Sequence, residues 1–131
     1  MQQELRKYWN KENYSYSCSE TMLHAANEFY DLGLEEDSFK MMAPFSGGMF
    51  EGETCGALTG AISVLGILLV NNNKADSPEM IEATKEFKQR FYNEIGSKDC
   101  TPLKEKFNDD CGEIIYMSGK ILEEVITKYR K

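Results

Sequence analysis

Apolar side chains recur along most of this chain at steps of three and four residues, the spacing of one face of an α-helix. The clearest example lies in residues 17–32. Ser17 followed three positions later by Glu20 is a capping-box signature, and Gly33 provides a stop. The pattern therefore predicts a helix over residues 17–32.

Further helical segments follow at intervals. Residues 55–70 are apolar on almost all sides, which favours a helix buried in the middle of the fold. Ser77 and Pro78 form an N-cap and first-residue pair for another helix. The predicted helices beyond the first are residues 36–42, 55–70, 78–95 and 110–131, with a short one near Thr101. No alternating strand pattern is present, so the sequence predicts an all-α fold: a single compact helical bundle of about five or six helices, one domain spanning residues 1–131.

Composition and charge exclude several kinds of partner. The chain has 131 residues and a formal charge of -7, and its basic residues form no stripe that could follow a phosphate backbone. We therefore expect no nucleic-acid partner and no anionic membrane surface. The longest apolar run, residues 57–70, is too short to cross a bilayer, and the N-terminal residues carry no export signal. The expected location is cytoplasmic.

Four cysteines are the clearest candidates for chemistry. Cys18, Cys55, Cys100 and Cys111 each directly follow a Ser, Thr or Asp, residue types that commonly cap helix N-termini. If Ser17, Thr54 and Asp110 each cap a helix, then the cysteines that follow them are the first residues of those helices. Free amide N–H groups at that position favour a thiolate. Cys100 fits this pattern less well, because the helix after it would begin at Pro102 with Thr101 as its cap.

Two glycines accompany one of these thiols. Gly56 and Gly60 are four residues apart in the helix that follows Cys55, so they allow another backbone to approach the turn carrying that sulfur. Taken alone, the glycine pair is explained by close helix packing. Next to a cysteine, it predicts that a second helix start comes within reach of the Cys55 thiol.

The cysteine spacing excludes a compact metal motif. The sequence contains no C-x-x-C and no C-x-x-H, so a zinc finger is disfavoured. Four thiols from separate helix starts can nevertheless converge on one zinc ion or iron–sulfur cluster. His24 lies six residues after Cys18, on a different side of the helix, and a packing role is the simpler interpretation.

The order of these motifs resembles a known family. "TCGALTG" is preceded by "GG" and by the cysteine in "YSCSE", and is followed by those in "DCTPL" and "DCGEII". This arrangement is similar to that of the small redox-active proteins named for their C_GCAxxG_C_C pattern. The resemblance implies that all four cysteines belong to the site. The family's redox activity is itself inferred from its cysteines, and no substrate comes with its name.

Three functions remain open from the sequence. In the first, the four cysteines perform thiol/disulfide chemistry, with Cys55 attacking and Cys18 as its partner. In the second, the same four cysteines bind zinc or an iron–sulfur cluster and the protein carries electrons. In the third, the protein is an interaction module with incidental cysteines. The redox partner is unidentified in each case, and the sequence is compatible with a homodimer.

Overall fold

Seven α-helices are formed by residues 1–130, the part of the chain that this computed structural model describes. Within that part, the β-type pairing is limited to one isolated bridge between Thr54 and Asp99. The all-α class is therefore confirmed, whereas the predicted count of about five or six helices is too low. In chain order the helices are α1 (Gln2–Tyr8), α2 (Cys18–Tyr30), α3 (Glu36–Lys40), α4 (Gly56–Leu69), α5 (Pro78–Ile95), α6 (Cys100–Lys106) and α7 (Cys111–Tyr129).

Helix α1 is the element that the sequence pattern missed. Its seven residues include one fully buried apolar side chain, Leu5. Leu5 packs against α7 at Gly119, where an added Cβ would overlap the leucine side chain. A helix this short with one apolar anchor shows no periodicity, and tertiary packing rather than local propensity stabilises it.

Helix α4 occupies the centre of the bundle, as its apolar sequence predicts. It packs against α2, α5 and α7. Its residues Val64 and Leu65 are fully buried, as are Phe87 and Phe91 of α5. Although α4 is strongly apolar, no helix within residues 1–130 is both long and apolar enough to cross a membrane.

Local signals set several of the helix boundaries. The backbone N–H of Glu20 donates to the Ser17 hydroxyl (3.4 Å) and the Ser17 N–H donates to the Glu20 carboxylate (3.2 Å), so the predicted capping box is present. Helix α5 has the predicted bounds and ends at Gly96, whose φ of 113° favours glycine. Ser77 precedes α5, but its hydroxyl bonds to the preceding loop and does not cap the helix. The predicted last residue of α7, Lys131, lies outside the described residues.

Candidate functional site

All four cysteines line one cavity of about 230 Å³. None of them is in a disulfide. Beside the thiols, the lining includes Trp9, Lys11, Ser17, Gly47, Lys104 and Ile114. Residues that are far apart in the sequence therefore meet in one small, partly enclosed space.

Each cysteine lies at the start of a helix. Cys18, Cys100 and Cys111 are the first residues of α2, α6 and α7, and Cys55 is the N-cap of α4. The expectation that α6 begins at Pro102 is therefore wrong. The expectation that Thr54 caps α4 with Cys55 as the first helical residue is also wrong, since the helix begins one residue later.

Two of the expected caps are present as hydrogen bonds. The Ser17 hydroxyl caps α2, and the Asp110 carboxylate accepts from the Glu113 N–H (3.3 Å) at the start of α7. Asp99 precedes α6 but makes no capping hydrogen bond with its side chain. The starts of α4 and α6 are thus held in place by something other than side-chain caps.

An isolated antiparallel bridge holds those two helix starts together. The pair is Thr54 and Asp99. The Cys55 N–H donates to the Lys98 carbonyl (2.8 Å), and the Cys100 N–H donates to the carbonyl of the residue before Thr54 (2.5 Å). Cys55 and Cys100 directly follow the two bridged residues, and both line the cavity. The bridge thereby holds the two cysteines close to each other.

The glycines of α4 bring the start of α2 against Cys55. A Cβ added at Gly56 would overlap the Cys18 Sγ, and one added at Gly60 would lie 2.7 Å from the Ser19 carbonyl oxygen. The close approach predicted from these glycines is therefore present, and the approaching segment is the turn that carries Cys18. Any larger residue at Gly56 would have to displace the Cys18 sulfur.

A left-handed turn forms one wall of the cavity. Gly47, Gly48, Met49 and Phe50 are consecutive residues with φ between 57° and 65°. This conformation costs a residue that has a side chain about 1–2 kcal/mol. Two backbone hydrogen bonds close the turn. The Gly52 N–H donates to the Gly47 carbonyl (3.1 Å), and the Glu53 N–H donates to the Gly48 carbonyl (3.1 Å). It places the Gly47 N–H against Cys18, where it lowers the pKa of that thiol.

Exposure divides the four thiols into two pairs. The Cys55 and Cys100 residues are only 5% and 7% exposed, whereas Cys18 and Cys111 are half-buried. Cys111 is the least enclosed of these thiols, so a dissolved substrate meets it first.

Burial raises the pKa of three of these thiols. It raises the pKa of Cys55 to about 12, with a further contribution from the charge of Cys18. It also raises the pKa of Cys18 and of Cys111, although backbone N–H groups oppose it at Cys18 and Lys104 opposes it at Cys111. The expectation that helix starts hold these three thiols as thiolates has no support from their surroundings, because burial raises each pKa and at Cys18 and Cys55 outweighs the backbone N–H groups.

Sequence reasoning missed the two lysines of the cavity. Lys104 lies four residues after Cys100 in α6, so the spacing of a helix could have placed the two on one face. Lys11 lies in the segment between α1 and α2 and carried no comparable signal. Its Nζ lies 3.7 Å from the centre of the Trp9 ring.

A tryptophan covers the start of α7. A Cβ added at Gly112 would lie 2.9 Å from the Trp9 Nε1, so the indole packs directly on the residue after Cys111. His24 lies outside the cavity, between the rings of Tyr16 and Phe39 at centroid distances of 4.0 and 3.8 Å. It is a packing histidine, as expected.

Within residues 1–130, no group of three or more His, Cys, Asp and Glu side chains is arranged to hold a metal ion. The zinc and iron–sulfur alternatives need several thiolate sulfurs around a common centre. The residues present therefore give this alternative no support.

Comparison with known proteins gives one match. The model of a family described as "Putative redox-active protein (C_GCAxxG_C_C)" matches residues 16–125, a range that includes all four cysteines. No curated protein and no solved structure matches the chain.

Proposed function

Since this chain belongs to the C_GCAxxG_C_C family of redox-active proteins, we propose that its four-cysteine cavity performs thiol/disulfide exchange. The observation that carries the proposal is that four unpaired thiols line one cavity, and that one of them, Cys111, is only half-buried. Exchange needs a thiol that a substrate can reach and a second thiol nearby to resolve the mixed disulfide. Cys111 meets the first requirement, and Cys18, which lines the same cavity, meets the second.

We assign the first attack to Cys111 rather than to Cys55. Cys111 is half-buried at the start of the longest helix, and the nearby charge of Lys104 lowers the pKa of its thiol, against the larger effect of burial. Cys55 is buried and its pKa is raised to about 12, so it forms little thiolate near neutral pH. The assignment of the attack to Cys55 from the sequence therefore has no support in its surroundings.

The resolving thiol in this proposal is Cys18. Its sulfur lies against Gly56, the residue after Cys55, and it lines the same cavity of about 230 Å³ as Cys111. Backbone N–H groups of Ser19 and Gly47 point at the Cys18 sulfur and favour its thiolate. Cys18 therefore lies where it can attack a mixed disulfide formed on Cys111.

The reaction balances in two steps. The Cys111 thiolate attacks one sulfur of the substrate disulfide, and the other sulfur leaves as a thiolate. The Cys18 thiolate then attacks the Cys111 sulfur and releases the rest of the substrate as a second thiolate. The substrate gains two electrons, and its two sulfurs take up, through solvent, the two protons that the Cys111 and Cys18 thiols release. The protein loses two electrons and holds a Cys18–Cys111 disulfide, and an external dithiol must reduce it for another cycle.

Thiol counting and disulfide mapping test the proposal. We expect the reduced protein to lose two of its four free thiols on treatment with a small disulfide, and peptide mapping to find Cys18 joined to Cys111. Cys111→Ser should abolish the fast phase of the reaction. Cys55→Ser is the matched control, because it removes a thiol from the same cavity and should retain that phase.

Two results would contradict the proposal. Four free thiols that persist under the disulfide would remove exchange as the activity. A fast phase that Cys55→Ser abolishes and Cys111→Ser preserves would return the first attack to Cys55.

A further inference from the structure

The cavity carries positive charge in a negatively charged protein. The whole chain has a formal charge of -7, yet the charged residues that line the cavity are Lys11 and Lys104, and no Asp or Glu is among its lining. Both lysines are exposed, so their ammonium groups lie at the mouth rather than inside. A substrate that enters thus passes two cations on its way to the thiols.

The two ammonium groups have not been neutralised by partners. Within residues 1–130, neither lysine forms an ion pair with a carboxylate. Lys11 is positioned instead by the Trp9 ring and by a hydrogen bond to the Tyr16 carbonyl (2.5 Å). The two acidic residues that precede Cys111 in the sequence, Asp109 and Asp110, do not line the cavity.

The size of the cavity limits what can enter. Its volume of about 230 Å³ lies below the range of roughly 300–1,000 Å³ that is typical of drug-sized ligand sites. A small compound fits this space, whereas a folded protein could present only a short loop to it.

Resting on the exchange reaction proposed above, we propose that the substrate of this cavity is a small anionic disulfide, which Lys11 and Lys104 attract and orient toward Cys111. The reaction is the one already balanced: the anionic disulfide accepts two electrons and leaves as two anionic thiols. Lys11 and Lys104 touch the charged ends of the substrate and take no part in the exchange of bonds. They determine which disulfides react fast.

A series of three disulfides of similar size and different charge tests this inference. The probes are 3,3′-dithiodipropionate, bis(2-hydroxyethyl) disulfide and cystamine, which carry two negative charges, none and two positive charges near neutral pH. Each rate constant with the reduced protein is divided by the rate constant of the same disulfide with 1-thioglycerol, a neutral thiol that differs from all three probes, which removes differences in intrinsic reactivity.

We expect the normalised rate constants to fall in the order dianion, neutral, dication. Charges about 7 Å apart in water change a rate by on the order of threefold for each pair, so the dianion should exceed the neutral disulfide by about threefold or more at low salt. Lys11→Gln and Lys104→Gln should each lower this ratio, and added salt should lower it as well. Lys88→Gln is the control, because it removes the same charge from α5, away from the cavity, and should leave the ratio unchanged.

The outcomes separate this inference from the exchange reaction. Equal normalised rates for the three disulfides, or a preference for the dication, would overturn the anionic substrate and leave exchange in place. No reaction with any of the three would overturn the exchange itself. If Lys104→Gln slowed all three equally, its effect would be on the thiol alone, and its role in recognition would be refuted.

Discussion

Replacing Gly60 with alanine tests how closely α4 and α2 approach each other beside the cavity. A Cβ on Gly60 would lie 2.7 Å from the Ser19 carbonyl oxygen, 3.1 Å from the Ser19 Cα and 2.9 Å from the Met22 Cβ. Two of these atoms belong to the backbone of α2, so a side-chain rotation cannot remove the overlap. Helix α2 itself must shift, and Cys18 lies one residue before the point of contact.

The size of the effect follows from two opposing contributions. Forcing an extra methyl group into a packed contact costs about 1–3 kcal/mol. Alanine in place of glycine within a helix contributes about 1 kcal/mol of stability. Gly66 lies in the same helix and an added Cβ there would meet no atom within 4 Å, so Gly66→Ala should gain the helix contribution alone. The free energies of unfolding of the two variants should therefore differ by about 1–3 kcal/mol.

Urea unfolding of the reduced proteins, followed by far-ultraviolet circular dichroism, measures this difference. We expect the midpoint of Gly66→Ala to lie above that of the wild type and that of Gly60→Ala to lie below that of Gly66→Ala. If Gly60→Ala were stabilised as much as Gly66→Ala, the helices would not be in contact at Gly60, and the geometry argued for Cys18 would be wrong.

Three further predictions follow from the site. Ser17→Ala removes the hydroxyl that caps α2, and we expect it to lower the free energy of unfolding by about 1 kcal/mol; an unchanged urea midpoint would contradict this. The pKa of Cys55 is raised from 9.0 to about 12, mainly by burial, so the folded protein keeps a proton that the unfolded chain loses. Stability should therefore fall as the pH rises from about 9 toward 12, and less steeply in Cys55→Ala, as measured by urea midpoints across that range. Trp9 is the single tryptophan and lines the cavity, so disulfide formation should change its fluorescence; a double variant with Cys18→Ser and Cys111→Ser should show no such change.

Local signals in the sequence were sufficient for part of the fold. The capping box at Ser17 and the glycine after α5 involve residues within a few positions of each other, so they can be recognised in the sequence. Helix α1 could not be recognised, because its stability depends on the contact of Leu5 with α7 at the other end of the chain. Thr54 was misassigned as a cap for the same reason: its backbone pairs with Asp99, a distant residue that the local pattern does not include.

The candidate site shows the same division. The four cysteines and the glycines beside Cys55 were identified from the sequence, and the structure places these thiols around one cavity. The acidity of the thiols could not be predicted, because it depends on how much water the folded chain excludes. Burial raises the pKa of Cys18, Cys55 and Cys111, and at Cys18 and Cys55 it outweighs the backbone N–H groups that oppose it.

Thiols that are neutral at rest are compatible with the proposed exchange, because the negative charge exists mainly while the reaction proceeds. It forms on the attacking sulfur, passes to the leaving sulfur and then develops on Cys18. Backbone N–H groups already point into this space: those of Ser19 and Gly47 favour the Cys18 thiolate, and those of Ala57 and Leu58 favour the Cys55 thiolate. Fixed donors stabilise developing charge without reorganising, and they do so more strongly where water is excluded. The burial that raises the resting pKa thus also strengthens the interaction between these amides and the transient thiolates, which reduces the cost of forming a thiolate here without cancelling it.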